Sequence, residues 1–274
     1  MKIMIPRLVL IRGGGDLASG VAHRLWNSGF DTVILEIEKP LVVRRTVSFA
    51  SAVYKKSIEV ESVRAEFCPS AEQADRFIAR GIIPVLIDPQ AKTLNLLKPA
   101  VLVDAIMAKK EILTKISDAE LVIGLGPGFT AGRDAHAVIE TKRGHNLGKV
   151  IYSGSAAEDT AEPGKIAGYG KERLLRAPVS GLFKPSKKIG DTVEAGEVVA
   201  FINNTPIKAQ ISGMIRGMLY PGLEVVEDTK IGDIDPRGAA VDCYAISDKA
   251  RAIGGGVLEA IMRRYNYDRP QTSG

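Results

Sequence analysis

The chain has 274 residues, of which 45% are hydrophobic and 25% are charged, with a formal net charge of +5. This composition is that of a globular protein and not of a disordered one, and no apolar run approaches the roughly 20 residues that span a bilayer. Only 5% of the residues are aromatic, so a stacking platform for single-stranded nucleic acid is not expected. Two cysteines, Cys68 and Cys243, favour a reducing cytoplasm. The basic excess fits either a solvated surface or a small anionic ligand, with neither nucleic acid nor a membrane as partner.

The first part of the chain, residues 1–174, predicts an α/β domain in which strands alternate with helices. Residues 7–11 predict a buried strand, residues 16–27 a helix with one apolar face, and residues 32–37 the next strand. Later strands are expected at 82–87, 101–103, 121–123 and 150–152, helices at 41–54 and 70–80, and an extended excursion at 58–67. Because these strands are continuous apolar runs, we expect a Rossmann-like, mostly parallel sheet that is covered on both faces.

Residues 175–235 predict a small all-β domain, because short β-like runs alternate with Gly, Pro and Asn. Residues 177–182 and 209–214 have similar sequences and form a weak twofold repeat. Such a repeat resembles that of the barrel-sandwich fold of biotinyl and lipoyl domains. In that fold a hairpin tip carries a modified lysine, but here the tip falls at Asn203-Asn204. We therefore expect an unmodified structural or docking module.

The last segment, residues 236–274, predicts a C-terminal helix. The helical pattern covers residues 257–264, and the run of glycines from Gly254 to Gly256 predicts a loop before it. We expect this helix to pack back on the first domain.

A glycine-rich turn between the first predicted strand and helix is the main candidate for ligand binding. Gly13, Gly14 and Gly15 form this turn, and the six residues from Gly13 onward match the dinucleotide fingerprint G-x-G-x-x-A. Glycines let the backbone approach a diphosphate, and the helix N-terminus supplies free N–H groups. Glu36, at the end of the second strand, is placed to bind ribose hydroxyls. Asp16 would repel a phosphate. The alternatives are a tight structural turn at the glycines and, for Asp16 itself, a role as the helix N-cap or as a ligand of a metal or a ribose.

A second glycine-rich turn follows the strand predicted at 121–123. Gly124, Gly126 and Gly128 lie where doubly wound sheets bind ligands, beyond the carboxyl ends of the strands. In this interpretation the two turns face each other across a crevice. The alternative is a turn that is kept small for packing.

No catalytic group is assigned, but three residues are candidates by type and position. Asp104 follows a predicted strand, His136 stands two residues after an aspartate and could relay protons, and Cys243 lies among polar residues. The three histidines show no metal-binding spacing, so no metal site is expected. Arg44 and its neighbour Arg45 could bind an anionic ligand above the sheet, with surface pairing as the alternative.

Several segments of the chain together match a family pattern. They are IRGGGDLA at 11–18, LEIE at 35–38, RRTVSF at 44–49, IGLGPGF at 123–129, VIETKRGH at 138–145 and ISDKARAIGGG at 246–256. In combination they resemble the accessory family of the selenium-dependent molybdenum hydroxylase system (YqeB-type), over nearly the whole chain. The N-terminal part is distantly similar to the Rossmann domains of xanthine dehydrogenase accessory (XdhC-type) proteins.

This resemblance implies an accessory role in the maturation of a molybdenum hydroxylase, which would be the client protein. The cofactor it implies is a nucleotide, either NAD(P) or a molybdopterin-type dinucleotide. Cys243, Asp104 and the loop 124–128 remain candidates by type and position. An NAD(P)-dependent oxidoreductase is the alternative, with Glu36 favouring NAD, although no acid/base pair for hydride transfer is evident. A carrier or scaffold role, catalysis and homo-oligomer formation stay open.

Overall fold

The computed structural model of the chain describes residues 7–107, 113–158 and 164–265. The strands of its first region are β1 (Leu8–Arg12), β2 (Asp31–Glu36), β3 (Ser57–Val60), β4 (Val63–Phe67), β5 (Ile83–Ile87), β6 (Val101–Asp104), β7 (Leu121–Leu125), β8 (Thr130–Ala131), β9 (Ala137–Ile139), β10 (Val150–Ile151) and β11 (Gly154–Ser155). The α-helices are α1 (Asp16–Asn27), α2 (Ala52–Lys55), α3 (Ala74–Ala79), α4 (Leu94–Leu97) and α5 (Asp248–Tyr265). Within these ranges, none of the helices combines the length and the apolar character that a membrane span requires.

β1 lies at the centre of a nine-stranded sheet with the order β10-β9-β7-β6-β1-β2-β5-β4-β3. It pairs in parallel with β2 on one side and with β6 on the other, and Val9, Leu10 and Ile11 are fully buried. The chain leaves β1 in one direction and later returns to its other side, which opens a crevice at the carboxyl end of β1. The pairs at the two edges, β3 with β4 and β9 with β10, are antiparallel.

The second region, residues 174–235, consists of short antiparallel strands. They are β12 (Leu174–Arg176), β13 (Gly181–Pro185), β14 (Thr192–Val193), β15 (Val198–Ile202), β16 (Thr205–Lys208), β17 (Gly213–Met218), β18 (Glu224–Val225) and β19 (Lys230–Asp235). Two four-stranded sheets, β12-β19-β17-β14 and β16-β15-β13-β18, enclose a core around Phe183. Ile202 pairs with Thr205, so the hairpin between β15 and β16 turns at Asn203-Asn204, which confirms the predicted tip.

This topology corrects the predicted fold class. A Rossmann-like, mostly parallel sheet followed by a barrel-sandwich domain was the wrong description, because the structure has one large mixed sheet and two separate four-stranded antiparallel sheets. Residues 57–67 add the hairpin β3–β4 to one edge, and strands of four or five residues carry too little pattern to reveal their pairing partners. The domain limits at 174 and 235 stay predictions.

The helix predicted over 41–54 is largely replaced by tighter turns. Arg45–Val47 and Phe49–Ser51 are 3₁₀ turns, and only the short helix α2 follows them. The buried side chains Val47 and Phe49 point into the core of the first region. Local helix propensity is therefore overridden by tertiary packing, as is common for short amphipathic segments.

The same segment joins the two regions. The N–H of Met218 on β17 donates a hydrogen bond to the carbonyl of Val43 at 2.8 Å, and Arg45 Nε donates to the carbonyl of Met218 at 3.0 Å. Tyr54 stacks on Tyr220 with ring centroids 4.3 Å apart. Arg45 is therefore an interface residue that holds the second region in place, rather than part of an anion site.

α5 runs without interruption through the glycines for which a loop was predicted. A Cβ on Gly254 would lie 2.8 Å from the carbonyl oxygen of Gly20 on α1, and a Cβ on Gly256 would lie 2.2 Å from that of Gly148. Gly255 faces open space. Glycine costs a helix about 1 kcal/mol per residue relative to alanine. Close packing of α5 on α1 and on the turn at Gly148 offsets that cost, and the local pattern could not show it.

We expect substitutions at adjacent glycines of α5 to change stability in opposite directions. Gly256→Ala should lower the free energy of unfolding by roughly 1–3 kcal/mol, because its methyl group overlaps the backbone at Gly148. Gly255→Ala should raise it by about 0.5–1 kcal/mol, because nothing opposes the better helix former. Urea unfolding of both variants provides the measurement, and equal effects would contradict the packing described here.

Candidate functional site

A cleft of about 830 Å³ lies between the carboxyl edge of the nine-stranded sheet and the β12-β19-β17-β14 sheet. The turns after β1, β2 and β6 line one side. Arg216 and Lys230 of the second region, with Arg173 directly before that region, line the other. Among the described residues, nine basic and five acidic side chains border the cleft. This excess of positive charge attracts anions into it.

The three glycines after β1 differ in the room they leave for a side chain. Gly13 has a φ of 91°, and a Cβ there would lie 3.2 Å from the carbonyl oxygen of Ala105. A Cβ on Gly14 would lie 2.9 Å from the amide nitrogen of Ala50. A Cβ on Gly15 would meet nothing closer than 3.9 Å, and this residue lines the cleft. Packing therefore requires Gly13 and Gly14, whereas Gly15 is open to a ligand.

α1 begins at the cleft without a side-chain cap. Its N-cap is Gly15, and no side chain forms a capping hydrogen bond there. The amides of the first helical turn have no intrahelical acceptor, so they present donors and a partial positive charge to an anion. Asp16 is the first helical residue, and its carboxylate lies 3.9 Å from Arg44 Nη1. The alternative in which Asp16 caps the helix is therefore wrong.

Glu36 fastens the glycine turn to the end of β2. Its Oε2 accepts a hydrogen bond from the N–H of Gly14 at 2.8 Å, and its Oε1 accepts one from the N–H of Ile37 at 2.8 Å. Burial raises the pKa of the Glu36 carboxyl, and the two backbone hydrogen bonds oppose that rise. The carboxylate lines the cleft, whereas Gly14, whose amide it accepts from, does not.

Arg44 brings a buried cation to the cleft beside Asp16. Its side chain is 7% exposed, and its Nη2 donates to the carbonyl of Ala245 at 3.1 Å. Its Nε and Nη1 have no hydrogen-bond partner among the described residues. Burial lowers the pKa of Arg44, and the positive charge of Arg216 lowers it further. An anion in the cleft would supply both the missing acceptor and the missing negative charge.

Asp104, a predicted catalytic candidate, is a structural carboxylate beneath the cleft. Its Oδ2 accepts hydrogen bonds from Thr114 Oγ1 at 2.5 Å and from Arg12 Nη1 at 3.4 Å. Its Oδ1 accepts from the N–H of Ile106 at 3.1 Å. Arg12 Nη1 also donates to Thr114. These bonds fix the turn after β6 against the end of β1, and Asp104 itself does not border the cleft.

The second glycine-rich turn does not face the first one across the cleft. A Cβ on Gly124 would lie 2.4 Å from the ring of Phe129, and a Cβ on Gly126 would lie 2.6 Å from Thr141 Oγ1. Gly126 and Gly128 have φ values of 71° and 107°, which L side chains rarely adopt. None of the three glycines lines the cleft. Packing and backbone conformation explain them, which agrees with the alternative interpretation of this turn.

The other two catalytic candidates lie apart from the cleft and from each other. His136 Nδ1 accepts a hydrogen bond from the N–H of Val122, near the start of β7 and thus at the opposite edge of the sheet. Burial and the charge of Arg264 lower the pKa of His136. Cys243 is a free, buried thiol in the core of the second region, and burial raises its pKa. The structure therefore does not assemble His136, Cys243 and Asp104 into one catalytic group.

Three basic side chains that line the cleft opposite the sheet were not predicted from the sequence. Arg173, Arg216 and Lys230 lie on short strands or turns without any motif, and nothing in their spacing connects them to Gly15. Arg12 could have been found, since it directly precedes the glycine turn. Among the described residues, no group of three His, Cys, Asp or Glu side chains is arranged to hold a metal ion.

No family model matches this chain. It is 54% identical over 256 residues to "Uncharacterized protein YqeB" of Escherichia coli (strain K12). That match covers 93% of this chain but 47% of the relative, so the chain spans about half the length of the curated relative it matches.

Two solved structures also align with it. An aspartoacylase family protein from Mesorhizobium loti is 10% identical, with a TM-score of 0.24, 84% of this chain and 85% of that chain covered. The ectoine utilization protein EutE (DoeB) from Ruegeria pomeroyi is 11% identical, with a TM-score of 0.25 and the same coverage of both chains. These scores and identities are too low to assign an activity to the present chain.

The functions predicted from the sequence need correction, because no comparison supports them. The curated relative has no assigned function, and neither of the two aligned structures is named as an XdhC-type protein. The prediction of a maturation factor for a selenium-dependent molybdenum hydroxylase was therefore wrong, whereas the predicted client protein stays a prediction that no comparison tests. The alternative of an NAD(P)-dependent oxidoreductase was wrong as well. What stands is the similarity to YqeB over nearly the whole chain.

We expect the affinity for sulfate to rise several-fold as the pH falls through the raised pKa of Glu36. Protonation removes a negative charge from the cleft beside the glycine turn and so weakens the repulsion of an anion. Sulfate keeps its charge between about pH 5 and 8. Burial and, to a lesser extent, the charge of Glu36 raise the pKa of Tyr54 to about 12, so Tyr54 does not titrate there. Calorimetric titrations of the wild type and of Glu36→Gln test this. A wild type without pH dependence, or a Glu36→Gln variant that keeps it, would refute the assignment.

Asp104→Asn should destabilise the protein by about 3–5 kcal/mol, because it leaves the buried Arg12 guanidinium without its carboxylate. The matched control is Asp75→Asn on the exposed face of α3, which should stay within about 0.5 kcal/mol of the wild type. Urea unfolding measures both. An Asp104→Asn variant as stable as the control would show that Asp104 is not a structural carboxylate.

Proposed function

We propose that this protein binds a phosphorylated small molecule, a nucleotide in the first instance, in the cleft at the N-terminus of α1. One observation carries the proposal. The uncapped start of α1, open at Gly15, faces a cleft beside the buried Arg44 guanidinium, two nitrogens of which have no partner among the described residues. Main-chain amides at a helix N-terminus together with a guanidinium are a favourable environment for a phosphate.

The size and the apolar parts of the cleft support a ligand larger than a phosphate ion. A volume of about 830 Å³ is within the range of about 300–1,000 Å³ that small-molecule sites occupy. Ile37, Leu41 and Ile106 line it with 44%, 51% and 46% of their surface exposed. Such exposed apolar side chains next to an anion site suit the base of a nucleotide, with Glu36 near the sugar hydroxyls.

The carboxylate of Asp16 disfavours a bound phosphate. Whether the cleft still attracts anions depends on the charges of the surrounding side chains. A carboxylate in the first turn of α1 repels a phosphate, but basic side chains outnumber acidic ones around the cleft. Arg44 Nη1 also lies 3.9 Å from the Asp16 carboxylate and reduces its field. We infer that the net field favours an anion.

The proposal concerns binding, and the described cleft suits that role. No histidine or cysteine is among the described residues that line it. We extend the proposal to the half of YqeB that this chain matches, and we place the protein in the cytoplasm, which its two free thiols support.

We expect Gly15→Asp to lower the affinity for adenosine 5′-phosphate and for inorganic phosphate by at least about tenfold. Its carboxylate would occupy the mouth of α1, and a charge-assisted hydrogen bond is worth roughly 1.5–3 kcal/mol. The fold should tolerate the change, because Gly15 has a φ of −65° and an open side-chain direction.

Gly15→Ala is the matched control, since it adds a methyl group without charge. Isothermal titration calorimetry measures the affinities and circular dichroism checks the fold. If Gly15→Asp is folded and binds phosphate as the wild type does, the site lies elsewhere and the proposal is wrong.

A further inference from the structure

We propose that the ligand of this cleft carries a second anionic group, a phosphate or a carboxylate, which is bound by Arg44, Arg173 and Arg216. The inference rests on the proposed function and specifies its ligand further. The first anionic group lies at the N-terminus of α1, and the second lies against the wall that the second region contributes.

The three arginines come from distant parts of the chain and meet in the cleft. Arg44 precedes the turn Arg45–Val47, Arg173 ends the 3₁₀ turn before β12, and Arg216 lies on β17. All three line the cleft. Because Arg44 also lies beside Asp16 at the start of α1, this arginine cluster is continuous with the first anion position.

The arginine cluster has fewer carboxylates than cations. The buried Asp233 faces two of its members, with Oδ1 3.1 Å from Arg173 Nη2 and Oδ2 3.5 Å from Arg216 Nη1. Arg44 has only the Asp16 carboxylate, at 3.9 Å, which exceeds hydrogen-bond distance. Within 4.0 Å, the three guanidinium groups thus share two carboxylates among the described residues. An anion placed between them would relieve the repulsion of like charges.

Donors of the cluster also lack acceptors. Arg44 Nε, Arg44 Nη1 and Arg173 Nε are buried without a hydrogen-bond partner in the described part of the chain. Both side chains are more than nine-tenths buried. Arg173 is held by other nitrogens, since its Nη1 donates to the carbonyl of Gly164 at 3.1 Å. Buried N–H groups are normally satisfied, and a phosphate or carboxylate has the charge and geometry that a guanidinium binds best.

The second region is therefore part of the binding site and not a separate docking module. A ligand that reaches from α1 to Arg216 contacts both regions at once. Its two anionic groups must be separate enough to contact both positions, as in a nucleoside bisphosphate or diphosphate.

The test compares ligands with one and with two anionic groups on the full chain. Adenosine 5′-phosphate is the single-group probe, and ADP and adenosine 3′,5′-bisphosphate are the two-group probes. We expect at least one two-group probe to bind the wild type about tenfold more tightly than adenosine 5′-phosphate does. Arg216→Gln should reduce this advantage at least severalfold, because it weakens the binding of the two-group probe more than that of adenosine 5′-phosphate. The matched control is Arg176→Gln, since Arg176 is 46% exposed and does not line the cleft, and it should leave both affinities unchanged.

The inference is overturned if no two-group probe binds more tightly than adenosine 5′-phosphate. It is also overturned if Arg216→Gln weakens both kinds of probe equally or neither of them. Should Arg216→Gln fail to fold, Arg216→Lys replaces it, because lysine keeps the charge but lacks the bidentate guanidinium. This variant should lose part of the tighter binding of the two-group probe, and full retention of that tighter binding would overturn the inference. Failure of the proposed function is distinct, since it shows as phosphate binding that survives Gly15→Asp.

Discussion

The turn after β1 approaches two other backbones so closely that no side chain fits between them. Gly13 packs on the carbonyl of Ala105, and Gly14 packs on the backbone of Ala50, whose N–H donates to the Gly14 carbonyl at 2.9 Å. These contacts bring together the turn after β1, the turn after β6 and the segment before α2 at one point. The cleft exists because this point lies where the chain leaves β1 on one side and returns on the other. The remaining glycine, Gly15, is free to face the ligand.

Charge is distributed unevenly around this point. Arg12 borders the cleft and is neutralised by Asp104, so it stiffens the floor of the site. Arg44 is buried to a similar extent, but two of its nitrogens have no hydrogen-bond partner in the described part of the chain, and burial of such groups costs free energy. A ligand that supplies the missing charge regains part of that free energy on binding, and any ligand that binds only the folded state stabilises it by mass action. An incompletely neutralised cleft of this kind is more easily understood as a binding site than as a packing defect.

The two regions are held together by contacts between segments that lie far apart in the sequence. Thr46 Oγ1 donates to the carbonyl of Cys243 at 2.6 Å, and Glu61 accepts hydrogen bonds from the N–H of Ile246 and from Arg251. The chain thus returns from the second region to the first, where α5 packs on α1. Glycines on both helices permit that approach, so α5 supports the helix whose N-terminus faces the cleft.

The sequence by itself determined the strand, glycine turn and helix at the start of the chain, since α1 covers residues 16–27 as predicted. It also determined the hairpin tip at Asn203-Asn204, because turn chemistry and hydrophobic period are local properties. Only the tertiary structure decided that α5 continues through its glycines, that the first region is a mixed sheet, and that Arg216 joins Arg44 in one cleft. The physical reason is that these features depend on which distant backbones and charges meet, and a local pattern of residues does not encode that.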